Sequence, residues 1–276
     1  MTEPYFPNQS LATSQMEQRF RAEVAKLPEP SRLILYEILS SCLPTFTPTT
    51  FSVRNGMVIA NQMAREIAFP CPIPMVKLSH IIFGYEEWLQ RKYCLPDFVE
   101  VEVGDVVVDC GAYVGGFSIS AAKKAAQVHA FEPASGNFSC LECNFRGVNN
   151  ISLNEAGLYS QTRRVGLNIS PNSVEHSLLM PDDGQVIDVR EIDVITLKDY
   201  VQQKKIVKLD FVKIEAEGVE LEVFDGLQDL RPRKLAIDVS PERNGESPAD
   251  EFRERLMPLG YEIRQRRHVM FAKQKS

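Results

Sequence analysis

The sequence predicts an α/β fold, a mostly parallel sheet with helices on both faces, preceded by a mainly helical extension. Two observations predict it. From Val101 onward, short apolar runs rich in β-branched residues alternate with amphipathic stretches of helical spacing. The first such run, Val106, Val107 and Val108, passes directly into a turn carrying Asp109, Gly111, Gly115 and Gly116. A β-branched run followed by glycines reads as a buried strand entering a tight strand-to-helix turn, where backbone comes close to a ligand.

Residues 1–100 read as a separate extension or cap. A polar helix is expected over 14–26 and a more apolar one over 31–42, separated by Pro28 and Pro30. Residues 43–50, rich in Pro and Thr, form a linker. Asn55-Gly56 between two short apolar runs predicts a hairpin over 51–61. Helical spacing returns over 79–93, with Trp88 among Ile82, Phe83, Tyr85 and Leu89. That cluster is either helix core or a wall of a substrate pocket, with Tyr85 and Glu86 the residues facing it.

Residues 101–276 form the second domain. Strands are expected at 106–109, 128–131, 151–154, 211–214 and 235–239. Helices are expected at 116–126, 135–147, 217–230 and 248–259. An extra section between the third and fourth strands reads as two strands, 165–169 and 186–195, around the loop 172–184. Thr196 then caps a short helix. Two alternating runs, 261–266 and 268–272, close the chain as an antiparallel hairpin.

The whole chain has 276 residues, 44% hydrophobic and 25% charged, the composition of an ordinary globular protein. Its net charge of -6 argues against nucleic acid as a partner, because the phosphate backbone calls for basic surface. No apolar run approaches the roughly 20 residues of a membrane span, and no leader pattern opens the chain. A cytoplasmic protein without a membrane partner is the expectation. The six cysteines are scattered, and Cys140-x-x-Cys143 has neither a second pair nor a histidine at zinc spacing. Both are expected to be core thiols.

The glycine turn departs from the dinucleotide fingerprint. A G-x-G-x-x-G starting at Gly111 needs glycine at 113, where this chain has Tyr113. No G-x-x-x-x-G-K-[ST] is present either. An adenosine ligand without phosphates, S-adenosylmethionine, remains. Glu132 follows Gly111 by 21 residues at the end of the second strand, where a carboxylate can accept hydrogen bonds from both ribose hydroxyls.

Three ordered blocks carry a family resemblance: VVVDCGAYVGGFS, then AFEP with Asn137 and Asn144 after it, then FVKIEAEGVELEVFDGL preceded by ITLKDYV. Together they resemble the FkbM family of S-adenosylmethionine-dependent methyltransferases. The resemblance covers about residues 100–240. It implies a Rossmann-like class I methyltransferase fold with a seven-stranded sheet. It also implies that Asp109, Gly111, Ala112, Tyr113, Gly115, Phe117, Ser118, Glu132, Pro133 and Asn137 surround the cofactor. One departure is the Glu215-Ala216-Glu217-Gly218 block, where the family usually has Asp at the first position.

Methyl transfer to an alcohol asks for a base within reach of the hydroxyl. Ligands of open α/β sheets lie at the carboxyl ends of the strands. Glu215 and Glu217 stand there, either as base, as acceptor-positioning groups, as oxygen ligands of a cation, or as a structural ion pair with Lys213 and acids of a helix first turn; no metal is assigned. His176 in the loop 172–184 is either a base over the cleft or a solvated loop residue. Lys213, Asp238 and Ser240, with Tyr85 and Glu86, are the acceptor-binding candidates, and Arg243 suits an anionic group. The expected reaction is O-methylation of a sugar or natural-product small molecule. The alternatives are N-methylation of a peptide or amine and a cofactor-binding pseudoenzyme. A homodimer through residues 1–100 is a further expectation.

Overall fold

The computed structural model describes residues 22–63, 65–171, 173, 176–179, 185–243 and 245–275. Seven strands form the main sheet: β4 (Val106–Cys110), β5 (Gln127–Phe131), β6 (Ile151–Asn154), β10 (Phe211–Ile214), β11 (Lys234–Asp238), β12 (Tyr261–Arg266) and β13 (Val269–Gln274). Their order is β12-β13-β11-β10-β4-β5-β6. The pairs β11-β10, β10-β4, β4-β5 and β5-β6 are parallel, whereas β13 runs antiparallel to both β11 and β12. The terminal hairpin therefore closes one edge of a Rossmann-like sheet.

Helices α4 (Gly116–Ala122), α5 (Ser135–Asn144), α6 (Leu197–Lys204), α7 (Glu220–Asp225) and α8 (Ala249–Leu256) supply the crossovers. The central strands read as continuous apolar runs because helices cover both faces. Val107, Val108, Val212 and Ile214 are all fully buried. Thr196 caps α6 as expected, its side chain accepting from Asp199 N. The helices are shorter than their sequence spacing suggests. The helix expected over 217–230 spans only Glu220–Asp225, because Glu217 and Gly218 take left-handed backbone (φ 49° and 93°) and turn the chain first.

The extension differs more from expectation. Its helix α1 (Glu29–Cys42) and the hairpin β1 (Thr49–Arg54) and β2 (Met57–Gln62) form as anticipated, but β3 (Arg65–Pro70) adds a third antiparallel strand. The single helix expected over 79–93 is two, α2 (Met75–Ile82) and α3 (Tyr85–Tyr93), broken at Gly84, whose φ is 85°. Trp88 stacks on His80 with ring centroids 3.7 Å apart, so the pair joins α2 to α3. The helix expected over 14–26 lies mostly outside the described residues.

Asn144 fastens the extension to the sheet domain. Its Nδ2 donates to Ala68 O (3.0 Å) and Val114 O (2.9 Å), and its Oδ1 accepts from Ala68 N (2.6 Å). A second small sheet, of β7 (Gly157–Leu158), β8 (Arg163–Ile169) and β9 (Asp188–Ile195), stands beside the carboxyl ends of β4 and β5 in the order β7-β9-β8. Cys140 is buried, but Cys143 is exposed, so only the first is a core thiol. Among the described residues, no helix is long and apolar enough to cross a membrane.

Candidate active site

The turn after β4 is built from backbone that glycine and one strained tyrosine can adopt. Gly111 has φ 73°, and a Cβ there would lie 1.8 Å from Glu215 O, so the close approach of two adjacent strand ends requires glycine. Gly115 has φ 88°, and its Cβ would strike Phe145 and Leu141. Tyr113 takes the left-handed conformation itself, with φ 54°.

The hydrogen bonds of this turn define what it can hold. Gly111 N and Ala112 N donate to Phe131 O (3.1 and 2.8 Å), and Gly115 N donates to Ala112 O (2.7 Å). Tyr113 N donates to Glu132 Oε2 at 2.9 Å. These four N–H groups are engaged within the protein, so they form no anion cradle of the phosphate-binding kind. The turn instead shapes one wall of a cleft of about 760 Å³, counting its open mouth.

Glu132 sits at the floor of that cleft. Its Oε1 accepts from Ala134 N (3.0 Å) and Asn137 Nδ2 (3.3 Å), and Asn137 Nδ2 also reaches Ser173 O (2.9 Å). Burial pushes the Glu132 carboxyl up to about 7, against the pull of those three donors. Gly111, Tyr113, Pro133 and Asn137 also line the cleft. Leu158, Leu167 and Ile192 of the small sheet supply its apolar side.

The other residues expected around the cofactor stand behind the turn. Asp109 is fully buried and accepts from Ser118 Oγ at 2.6 Å, with Lys213 Nζ 3.1 Å from its Oδ1. Phe117 packs between Tyr93 and Phe211 (centroids 5.9 and 5.6 Å). Ala112 is buried beside Ile119 and Ala130. Lys213, one of the acceptor candidates, is 2% exposed and donates to Gly111 O (2.6 Å) and Cys110 O (3.1 Å). It supports the turn from beneath and does not line the cleft.

Glu215, Glu217 and His176 do line it, brought together from the end of β10 and the loop over β8. Glu215 is gripped by two cations: Lys92 Nζ lies 2.6 Å from Oε1 and Lys213 Nζ 3.1 Å from Oε2. Although burial opposes it, Lys92 foremost and then Lys213 and Lys77 hold this carboxyl well below its usual range. Glu217 is the opposite case. Burial, with the carboxylates of Glu242 and Glu215 nearby, pushes it well above its usual range. Among the described residues its carboxylate makes no hydrogen bond or ion pair. Only its backbone oxygen is bonded, by Ser177 Oγ at 2.6 Å. Glu220, three residues after Glu217, turns back to the loop, its Oε1 accepting from Ala216 N (2.8 Å) and Gly218 N (3.2 Å).

His176 has a fixed role for one nitrogen. Its Nδ1 accepts from Ser170 N at 3.2 Å, so the proton of the neutral ring resides on Nε2. Burial, then Arg190, lowers its pKa and favours that neutral form. His176 is thereby a hydrogen-bond donor at Nε2. This corrects its expected role as a base, since the lone pair that would take a proton already faces Ser170.

The acceptor candidates Tyr85, Glu86, Asp238 and Ser240 sit away from the cleft, as does Arg243. Tyr85 is 2% exposed and packs edge-on to Phe69 (5.1 Å), and its ring also covers Gly116 at the start of α4. Glu86 is tied to Arg65 (3.1 Å) and Lys123 (2.6 Å). Both are therefore structural contacts between the extension and α4. Asp238 accepts from Ser240 N at 2.8 Å and from Ser240 Oγ, and also lies 2.9 Å from Lys92. Arg243 is paired with Glu222 at 2.8 Å and is not free for an anion.

Two residues that sequence reasoning missed matter here, Lys77 of α2 and Lys92 of α3. Lys77 lines the cleft directly, its Nζ 5.1 Å from the centroid of the Tyr113 ring. Nothing in a lone lysine of an amphipathic helix signals such a position. Among the described residues, no group of three or more His, Cys, Asp or Glu side chains is placed to hold a metal ion.

Residues 109–265 match the model of the methyltransferase FkbM domain. The 31-O-demethyl-FK506 methyltransferase FkbM of Streptomyces tacrolimicus is 28% identical over 227 residues, 69% of this chain and 81% of that one. Methyltransferase 1 of Beauveria bassiana is 24% identical over 178 residues, 56% of this chain and 70% of that one. The solved precorrin-6y C5,15-methyltransferase of Geobacter metallireducens is 12% identical with a TM-score of 0.44, covering 76% of this chain and 94% of that one. Because the domain match spans more than half of its length, the chain belongs to the FkbM family of methyltransferases.

Proposed function

We propose that this methyltransferase uses S-adenosylmethionine and methylates a hydroxyl of a sugar or natural-product small molecule. The cofactor fits the residues present. Glu132 keeps a buried carboxylate at the floor of the cleft, suited to ribose hydroxyls. The apolar wall of Leu158, Leu167 and Ile192 suits an adenine ring, and the turn from Gly111 to Gly115 would carry the ribose and methionine portions. When bound, S-adenosylmethionine supplies an electrophilic methyl group on a positively charged sulfur. In their ionised forms Glu132, Glu215 and Glu217 make the cleft favourable to that positive charge.

The observation that carries the reaction type is Glu217. It lines the same cleft as the turn, has no bonded partner among the described residues, and is held well above the ordinary carboxylate range. A carboxylate tuned upward is a stronger base, which is what removing a hydroxyl proton requires. Glu217 takes that proton as the acceptor oxygen becomes nucleophilic. Glu215, pinned by two lysines, stays ionised and orients the acceptor. His176 Nε2–H donates to an acceptor oxygen. Burial of the site orders these groups before the acceptor arrives.

Calorimetry with S-adenosylhomocysteine, with NAD as the control, tests the cofactor assignment. Binding of the first and not the second is expected, and the reverse overturns it. Incubating the enzyme with isotope-labelled S-adenosylmethionine and a small-molecule extract, followed by mass spectrometry, tests the acceptor class. Label recovered in O-methyl ethers supports the reading, and label in N-methyl groups or on protein refutes it.

A further inference from the structure

The extension lies outside the family domain, yet it puts a charged group into the cleft. Lys77 is the only Lys or Arg lining the cleft among the described residues. It is half-buried and has no hydrogen bond or ion pair among them. The two acids nearest in charge do not bind it: Glu215 is already held by Lys92 and Lys213, and Glu217 makes no bond. Burial lowers the Lys77 pKa, the sign of a cation short of a partner. Its ammonium stands over the ring of Tyr113, in the turn assigned above to the ribose and methionine portions.

The cofactor brings one anionic group, the α-carboxylate of its methionine half. Four N–H groups of the turn are spent internally, on Phe131 O, Ala112 O and Glu132. The start of α4 is no substitute, because Tyr85 and Leu89 pack against Gly116 there. A carboxylate entering a cleft lined by Glu132, Glu215 and Glu217 needs a cation beside it.

We propose that Lys77 of the extension binds the α-carboxylate of the cofactor, so that the cofactor site is complete only with residues outside the family domain. This rests on the assignment of S-adenosylmethionine as cofactor. It gives the extension a direct part in cofactor binding, and it assigns the one lysine lining the cleft among the described residues to the one anionic group of the ligand.

The test is calorimetry on the full chain with S-adenosylhomocysteine and with 5′-methylthioadenosine, which has the adenosine and thioether but no amino-acid half. Lys77→Met is expected to weaken S-adenosylhomocysteine about 10- to 100-fold and to leave 5′-methylthioadenosine unchanged. Lys77→Arg is expected to restore most of the loss. Unchanged S-adenosylhomocysteine affinity in Lys77→Met overturns the proposal. Equal loss of both ligands also overturns it, because Lys77 then acts only by supporting the turn. If the unaltered protein binds neither ligand, the cofactor assignment itself falls, and the proposal with it. If Lys77→Met does not fold, Lys77→Gln and Lys77→Arg decide: equal affinities for S-adenosylhomocysteine refute the charge pairing.

Discussion

Lys92 Nζ lies 2.6 Å from Glu215 Oε1, so a helix of the extension fixes a carboxylate at the end of a strand in the parallel sheet. The same ammonium is 2.9 Å from Asp238 Oδ2, whose side chain is 2% exposed. Replacing Lys92 with Met leaves a buried Asp238 without its cation. A loss of about 2–4 kcal/mol is expected in urea unfolding. Asp238→Asn in the same background should recover part of it. No change in stability would mean that the bridge adds nothing to holding the extension on the sheet.

Glu132 makes cofactor binding depend on pH. Its carboxyl is raised to about 7 in the free protein. Hydrogen bonds from ribose hydroxyls favour the ionised form, so binding lowers that pKa and releases a proton. Affinity then rises with pH as the free protein loses the competing proton. Between pH 6 and 8 an increase of about tenfold is expected for S-adenosylhomocysteine. Glu132→Gln should bind more weakly and with a flat profile. A flat profile in the unaltered protein would remove Glu132 from the ribose.

Glu217→Gln should reduce methyl transfer by about 10²- to 10⁴-fold while S-adenosylhomocysteine still binds. Because the base is the ionised form and its pKa is raised, activity should climb as pH rises through that pKa. His176→Gln should cost less, since its Nε2–H only donates. Label transfer into the extract measures both. A Glu217→Gln variant with full activity would return the role of base to another group.

Stability should fall on the alkaline side. Glu220 is raised to about 7 and Glu242 to about 8, each chiefly by burial. A carboxyl whose folded pKa exceeds its unfolded value adds stability that is complete below the unfolded pKa. That stability is lost as pH rises through the folded pKa. The window is therefore about pH 4.5 to 8, and unfolding by urea should be easier at pH 8.5 than at 5.5 by a few kcal/mol. Glu220→Gln keeps the acceptor for Ala216 N and Gly218 N and should flatten part of this slope. A slope of opposite sign would show that other groups dominate.

Much of the cleft was legible because its makers are local in sequence. Val106 to Gly116 is one strand and one turn, and the mismatch at Tyr113 already argued against a pyrophosphate. The structure supplies the reason: Tyr113 N is given to Glu132. Glu132 was legible from its spacing after Gly111. The acceptor candidates were less so. Tyr85 and Glu86 looked like pocket residues because an aromatic beside an acid reads alike at a pocket and at a helix contact. Packing on Gly116, Arg65 and Lys123 decided the matter. The third strand of the extension was missed because Arg65–Pro70 ends in proline and has no Asn-Gly turn before it, so its pairing with β2 is what makes it a strand.

The sequence by itself determined the parallel sheet, the glycine turn and the family, since each is read from short contiguous runs, the family from three of them in order. Only the tertiary structure decided which charges meet. Lys77 and Lys92 come from two helices of the extension and Glu217 from the end of β10, and none of the three has a local pattern that names its neighbours. Their protonation and pairing are set by burial and by charges brought alongside in folding. Electrostatics in a low-dielectric cleft depends on distance in space, which sequence spacing does not encode.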